Sequence, residues 1–178
     1  MSESLSLVQL GSTFDYPLEK LKGKVAQKFL DYQVGILNPL EIPVMAFDSF
    51  RDQYHSTRIL ASLEEYGRTV PAQYILGVAS FDLYVPGMNF VFGEARCPGR
   101  VAVISTRRLK TKRFDGSDLF GSRVVKEAVH EIGHMIGLRH CSEESCVMYF
   151  SERLADTDRK EDSFCSECER KMKWLEIE

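Results

Sequence analysis

One eleven-residue stretch constrains this chain more than any other: His130-Glu131-Ile132-Gly133-His134-Met135-Ile136-Gly137-Leu138-Arg139-His140. On an α-helix, residues four apart stand one turn above each other, so His130 and His134 project both imidazoles from one face. That geometry suits two ligands of a zinc ion. Glu131 follows the first histidine and can reach a water on the metal without itself being a ligand. A helix continuing past His134 would carry residue 140 away from the metal. Gly137 ends it, because glycine accepts the left-handed conformation that reverses the chain and returns His140 as a third ligand. Three histidines then take three corners of a tetrahedron and leave the fourth for water. Val124, Val125, Ala128, Val129, Ile132, Met135 and Ile136 make this helix apolar on most sides, and buried imidazoles need partners.

Composition sets the outer bounds. The chain has 178 residues, 44% hydrophobic and 28% charged, which describes one soluble globular domain with a core of its own. No run approaches the roughly 18 apolar residues of a membrane helix. The opening Met-Ser-Glu-Ser has neither the basic nor the apolar segment of a secretory signal. A net charge of −3 gives no electrostatic case for nucleic acid as a partner. Five cysteines, an odd number without a signal, argue against a disulfide framework and for metal binding or a reactive thiol in a reducing, cytoplasmic setting. Cys141-x4-Cys146 and Cys165-x2-Cys168 have the spacing of a closed four-thiolate zinc site. A Cys165–Cys168 redox pair and plain core thiols are the alternatives. Cys97, in a turn before Pro98, is left as a spare thiol. The 41 residues after Gly137 hold few large apolar side chains, so a metal staple there makes physical sense.

Upstream, strands and helices alternate. The pattern predicts a strand over 5–10, a helix over 17–30, and strands over 33–37 and 42–47. A helix follows over 49–66, with Ser49 as N-cap and Phe50, Tyr54, Leu60 and Leu63 on its apolar face. Strands over 73–80, 90–95 and 100–105 precede a helix over 117–136, and a last helix lies near 165–175. The alternation argues for an α/β sheet unit over residues 1–137 and a small C-terminal piece over 138–178.

The histidine stretch resembles the signature of the metzincin zinc peptidases, which a methionine in a tight turn follows. Here Met148, in Ser145-Cys146-Val147-Met148, is the candidate for that floor beneath the imidazoles. The four cysteines narrow the resemblance to the archaemetzincin family. It implies a metzincin-like zincin fold of α/β (α+β) class: a twisted, mostly parallel sheet with one antiparallel edge strand packed on helices, and a small zinc-stapled C-terminal subdomain. It implies two Zn2+ ions. One is catalytic on His130, His134 and His140, and one is structural on Cys141, Cys146, Cys165 and Cys168. The activity implied is hydrolysis of peptide bonds through a zinc-bound water activated by Glu131. The partner is a peptide or protein substrate, without nucleic acid or membrane, and the chain a monomer. In metzincins an edge strand aligns the substrate, a role that falls here on 100–105 or 90–95. Tyr149 departs from the pattern of those metzincins whose tyrosine stands two residues after the methionine. Two other readings stay open: a non-catalytic zinc-stabilised binding protein, and a metal-dependent endoribonuclease with a similar histidine spacing but no Glu after the first His. The basic run Arg107, Arg108, Lys110, Lys112, Arg113 and the acidic run Glu152, Asp156, Asp158, Glu161, Asp162 read as solvated surface, with contacts to charged substrate groups as the alternative. His55 reads as a packing residue.

Overall fold

The computed structural model describes residues 3–12, 15–110 and 118–175. Its main sheet is built from β1 (Glu3–Leu10), β2 (Tyr32–Ile36), β5 (Tyr74–Ala79), β7 (Gly93–Ala95) and β8 (Val101–Ser105), in the order β2-β1-β5-β8-β7. Every pairing is parallel except that of β7, which runs antiparallel to β8 and leaves its other side free. The period-two alternation of the strands sorts apolar side chains onto two faces. Leu5, Leu7, Leu76, Val78, Ala102 and Ile104 face α1 (Leu18–Lys28) and α3 (Leu119–Ile136). Val8, Leu10, Ile75, Val101 and Val103 face Ile59, Leu60 and Leu63 of α2 (Ser56–Gly67). Both faces of the sheet are covered, as parallel sheets require.

A second, small sheet joins β3 (Phe47–Asp48), β4 (Gln53–His55) and β6 (Leu83–Tyr84), in the order β3-β4-β6. Here the structure departs from the sequence reading. Of the strand expected over 42–47 only Phe47 is realised, as the first residue of β3: Pro43 lacks a ladder donor, and a single 3-10 turn at Val44–Ala46 follows it. The helix expected over 49–66 starts only at Ser56. The Asp48 carboxylate accepts the backbone N–H groups of Phe50 and Arg51, and Asp52 takes a positive φ of 52°. That side-chain cap offers the backbone a turn in place of a helix. Phe50 is therefore fully exposed and not on an apolar helix face.

After Gly137 the chain adds α4 (Leu154–Arg159), which the sequence reading missed, and α5 (Ser166–Leu175). Leu138, Cys146, Val147, Met148 and Cys168 join the core on the α3 side of the sheet. No described helix is long and apolar enough to cross a membrane.

The late start of α2 separates two side chains that the apolar spacing put on one helix face. Leu63→Ala should cost about 2–5 kcal/mol in urea unfolding, the usual range for truncating a core leucine. Phe50→Ser should stay within about 0.5 kcal/mol of wild type, as a surface change does.

Candidate active site

The site is assembled on α3. Asp118 caps its start, the carboxylate accepting the Gly121 N–H at 3.2 Å, and almost the whole helix is buried. At its far end Gly137 adopts φ +117°, donating to the carbonyls of Gly133 and His134, while the Leu138 N–H returns to Gly133 O at 2.9 Å. This left-handed stop turns the chain back towards the helix it has just left.

Each of the two helical imidazoles is locked by its Nδ1. His130 Nδ1 donates to Val147 O and His134 Nδ1 donates to Leu138 O, both at 2.7 Å. With the proton on Nδ1, both Nε2 atoms present lone pairs, and these face each other at 3.1 Å. Burial pushes His130 well below the ordinary imidazole pKa, with the Lys160 ammonium and His134 adding to it. Burial likewise takes His134 down to about 4 and lowers His140. All three rings are thus neutral near pH 7, and two lone pairs in contact without a proton between them call for a cation. Two zinc–nitrogen bonds at a tetrahedral angle set their nitrogens about 3.3 Å apart, close to this spacing. The three ring nitrogens lie within 4.8 Å of one another, so the set can hold a zinc ion.

The floor is tight. Met148 is fully buried, and its sulfur would stand 2.6 Å from a Cβ placed on Gly133, so only glycine lets the methionine approach the helix between the imidazoles. Phe150, two residues past Met148, packs its ring 4.8 Å from His140. The position where a tyrosine was considered carries a ring without a hydroxyl, and Tyr149 does not line the cleft.

Glu131 stands beside the histidines with its Oε2 buried and without a hydrogen-bond partner among the described residues. Its carboxylate rests against the edge strand: a Cβ on Gly93 would lie 2.5 Å from Oε1. Burial, and then the Glu127 carboxylate, hold Glu131 well above the usual carboxylate range, against an opposing pull from Lys160. A cleft of about 740 Å³ opens between β7 and these residues. Of the two strands considered for aligning a substrate, β8 is paired on both sides, so β7 alone has a free edge.

One residue past His140, a second cluster begins. The Sγ atoms of Cys141, Cys146, Cys165 and Cys168 all lie within 4.8 Å of one another, and none forms a disulfide. Cys141–Cys165 and Cys146–Cys168 are each 3.8 Å apart, about the edge of a tetrahedron of zinc–sulfur bonds. Burial raises the Cys146 and Cys168 thiols, a cost that a bound cation offsets. The donor set fits zinc. The spare Cys97 turns out to line the cleft wall, its thiol donating to the same Leu138 carbonyl that His134 uses.

The sequence reading missed the charges beneath the site. Lys160 is completely buried, 3.0 Å from Glu127, whose Oε1 also accepts the Thr157 hydroxyl. Lys160 Nζ also reaches Tyr149 O at 3.4 Å. Arg123 binds Asp158 through two bonds of 2.6 Å, and Lys126 donates to the carbonyls of Thr157 and Asp158. The acidic run is thus partly structural: Asp158 pairs with Arg123, Asp162 with Lys28, and Asp156 caps α4. In the basic run, Arg108 pairs with Asp82 and Lys110 with Asp15, while Lys112 and Arg113 fall outside the described residues. His55 packs its ring 5.2 Å from Tyr84, away from the cleft.

Peptidase family M54 matches residues 19–174. The chain belongs to this family. It is 46% identical to the archaemetzincin of Archaeoglobus fulgidus over 147 residues, 83% of this chain and 86% of that one. With the archaemetzincin of Methanocaldococcus jannaschii it shares 39% over 166 residues, 92% and 89% of the two chains. The crystal structure of archaemetzincin from Methanopyrus kandleri superposes with a TM-score of 0.88 at 35% identity, over 99% of this chain and 96% of that one. The structure of the Archaeoglobus fulgidus protein complexed with malonate gives 0.81 at 42%, over 94% and 99%. Archaemetzincins of this family are zinc metallopeptidases, and this chain is therefore a zinc-dependent hydrolase of peptide or protein substrates. The mixed α/β fold with its mostly parallel sheet agrees with the sequence reading. Neither the non-catalytic nor the endoribonuclease alternative is favoured by these matches.

The buried pair under the site yields a stability test. Lys160→Met leaves Glu127 buried without its ammonium and should cost about 3–5 kcal/mol in urea unfolding. Combining it with Glu127→Leu should recover most of that loss, since an apolar pair removes the unpaired charge.

Proposed function

We propose that His130, His134 and His140 hold the catalytic zinc and that Glu131 is the general base of peptide hydrolysis. One observation carries the reading: two unprotonated Nε2 atoms converge at 3.1 Å beside a buried carboxylate whose Oε2 has no partner among the described residues. Bound there, zinc would supply Lewis acidity, polarising the scissile carbonyl and acidifying the attacking water. Glu131 takes one proton from that water as its oxygen bonds to the carbonyl carbon. It then delivers the proton to the departing nitrogen, so that the C–N bond breaks to give an acid and an amine. A desolvated carboxyl with a raised pKa is the stronger base for the first transfer and keeps the proton for the second. The free edge of β7 aligns an extended peptide through main-chain hydrogen bonds.

A second, structural zinc on Cys141, Cys146, Cys165 and Cys168 completes a count of two, with Met148 as the apolar floor between the sites. The chain divides in function at Gly137, residues 1–137 carrying the sheet and active-site helix and 138–178 the third histidine, the Met-turn and the sulfur cluster. Thiols this close without a disulfide suit a cytoplasmic, reducing compartment. The working form is a monomer without nucleic acid or membrane partners, in keeping with the net charge of −3.

Metal analysis beside peptide-library digestion tests the assignment. Wild type should carry two zinc ions. Glu131→Ala should keep both and lose at least about 10²-fold in kcat, the low end for removing a general base. The double variant Cys165→Ser/Cys168→Ser should carry one fewer and unfold more readily. Unchanged cleavage by Glu131→Ala would refute the base, and a wild type with a single zinc would remove one site.

The depressed imidazole pKa values also set when protons displace the metal. Protons compete with zinc only once pH falls below those values, so the ordinary midpoint of about 6.5 does not apply. Protein held over a chelating resin near pH 6 and assayed at neutral pH should keep its activity. After treatment near pH 4, where His134 takes up a proton, it should lose it.

A further inference from the structure

Arg139 is the one cationic side chain among the described residues lining the active-site cleft. It is exposed, and none of the described ion pairs or hydrogen bonds engages its guanidinium. Its backbone, by contrast, is held on both sides. The preceding Leu138 donates its N–H to Gly133 O and receives His134 Nδ1 and the Cys97 thiol on its carbonyl. The following residue, His140, is packed against the rings of His130, His134 and Phe150. A rigid base under an uncommitted guanidinium is the arrangement of a recognition residue, because little order is lost when a ligand arrives.

The other charges around the cleft sharpen this. The Glu94 carboxylate is taken by the hydroxyls of Ser56 at 2.5 Å and Thr57 at 2.9 Å. Glu127 is taken by Lys160, and Glu131 faces Gly93. Glu152, on the rim, is exposed, and no ion pair links it to Arg139. The cleft therefore holds four carboxylates and one guanidinium that none of them neutralises. A planar guanidinium binds a carboxylate through two parallel hydrogen bonds, which a primary amide cannot match.

We propose that Arg139 is a specificity-determining residue that binds a carboxylate of the peptide substrate. The proposal rests on the peptidase reading of the cleft. Cys97, two residues past the end of β7, bonds the carbonyl of Leu138, the residue before Arg139, so Arg139 flanks the C-terminal end of the edge strand. A peptide laid antiparallel along β7 brings an acidic side chain from before the scissile bond to that end. A peptide laid parallel brings its terminal carboxylate there instead. The recognised group is the same in both cases.

The test compares zinc-loaded wild type, Arg139→Lys and Arg139→Glu at equal zinc content, on peptides that differ only by Glu against Gln at each position before the scissile bond. A second set differs by a free or an amidated C-terminus. Wild type should favour one carboxylate-bearing set by about 3- to 10-fold in kcat/KM, mostly through KM, as a partly exposed charged pair allows. Arg139→Lys should narrow that ratio, and Arg139→Glu should reverse it in favour of the Gln-bearing or amidated member of the set. Preference in the side-chain set assigns the antiparallel source, and preference in the terminal set the parallel one. Equal ratios in wild type and Arg139→Glu would overturn the proposal. Fluorescence anisotropy with the same peptides, labelled, on a Glu131→Gln background separates the two readings. Charge-selective binding without any cleavage by the parent protein would defeat the peptidase assignment and keep Arg139. Cleavage without charge selectivity would do the reverse.

Discussion

The reversal at Gly137 is the constraint on which the rest of the site depends. A helix presents two imidazoles on one face but cannot present a third six residues further on. At φ +117° the chain turns back, and within three residues it supplies a carbonyl for His134, a guanidinium for the cleft and a third imidazole. The carbonyl from Leu138 and that from Val147 fix both helical tautomers, so the lone pairs point inward before any ligand arrives. Such outer hydrogen bonds orient a ligand ring and raise its basicity. An alanine at 137 would be strained at that φ whatever space it found.

Burial is the second organising force, and it acts in opposite directions on different groups. It keeps the imidazoles neutral, holds the Glu131 carboxyl high and raises two thiols. All three effects follow from the cost of charge in a dry interior. Lys160 is the counterweight: a fully buried ammonium paired with Glu127, whose field favours the ionised form of Glu131 and disfavours charged histidines. The apolar part of the interior carries the scaffold, and this single ion pair sits where α3, the loop after Met148 and α4 meet.

How much of this could be read from the residues depended on sequence distance. The histidine stretch and Gly137 lie within eleven residues and obey helical spacing, so the imidazole face and the stop at Gly137 were legible. The thiol cluster was legible too, because its spacings are local pairs. Strands of six to eight residues such as β1 and β5 read as apolar or branched runs, whereas β3, β4 and β6, two or three residues long, were too short to stand out. The start of α2 was misplaced because the apolar spacing ran on through Phe50 and Tyr54, while a single carboxylate, Asp48, decided the local backbone. Lys160 meets Glu127 across 33 residues of chain, and no periodicity marks such a pair. Arg139 was visible in the motif, but its lack of a partner is a fact of three dimensions.

His140 and Cys141 are consecutive, so one peptide bond joins the imidazole cluster to the sulfur cluster. Adjacent Cα atoms across a trans peptide keep a spacing of about 3.8 Å whatever else moves. The sulfur cluster is in turn closed by Cys165 and Cys168, which follow α4 in the chain. The third imidazole is therefore tethered from behind as well as from the helix.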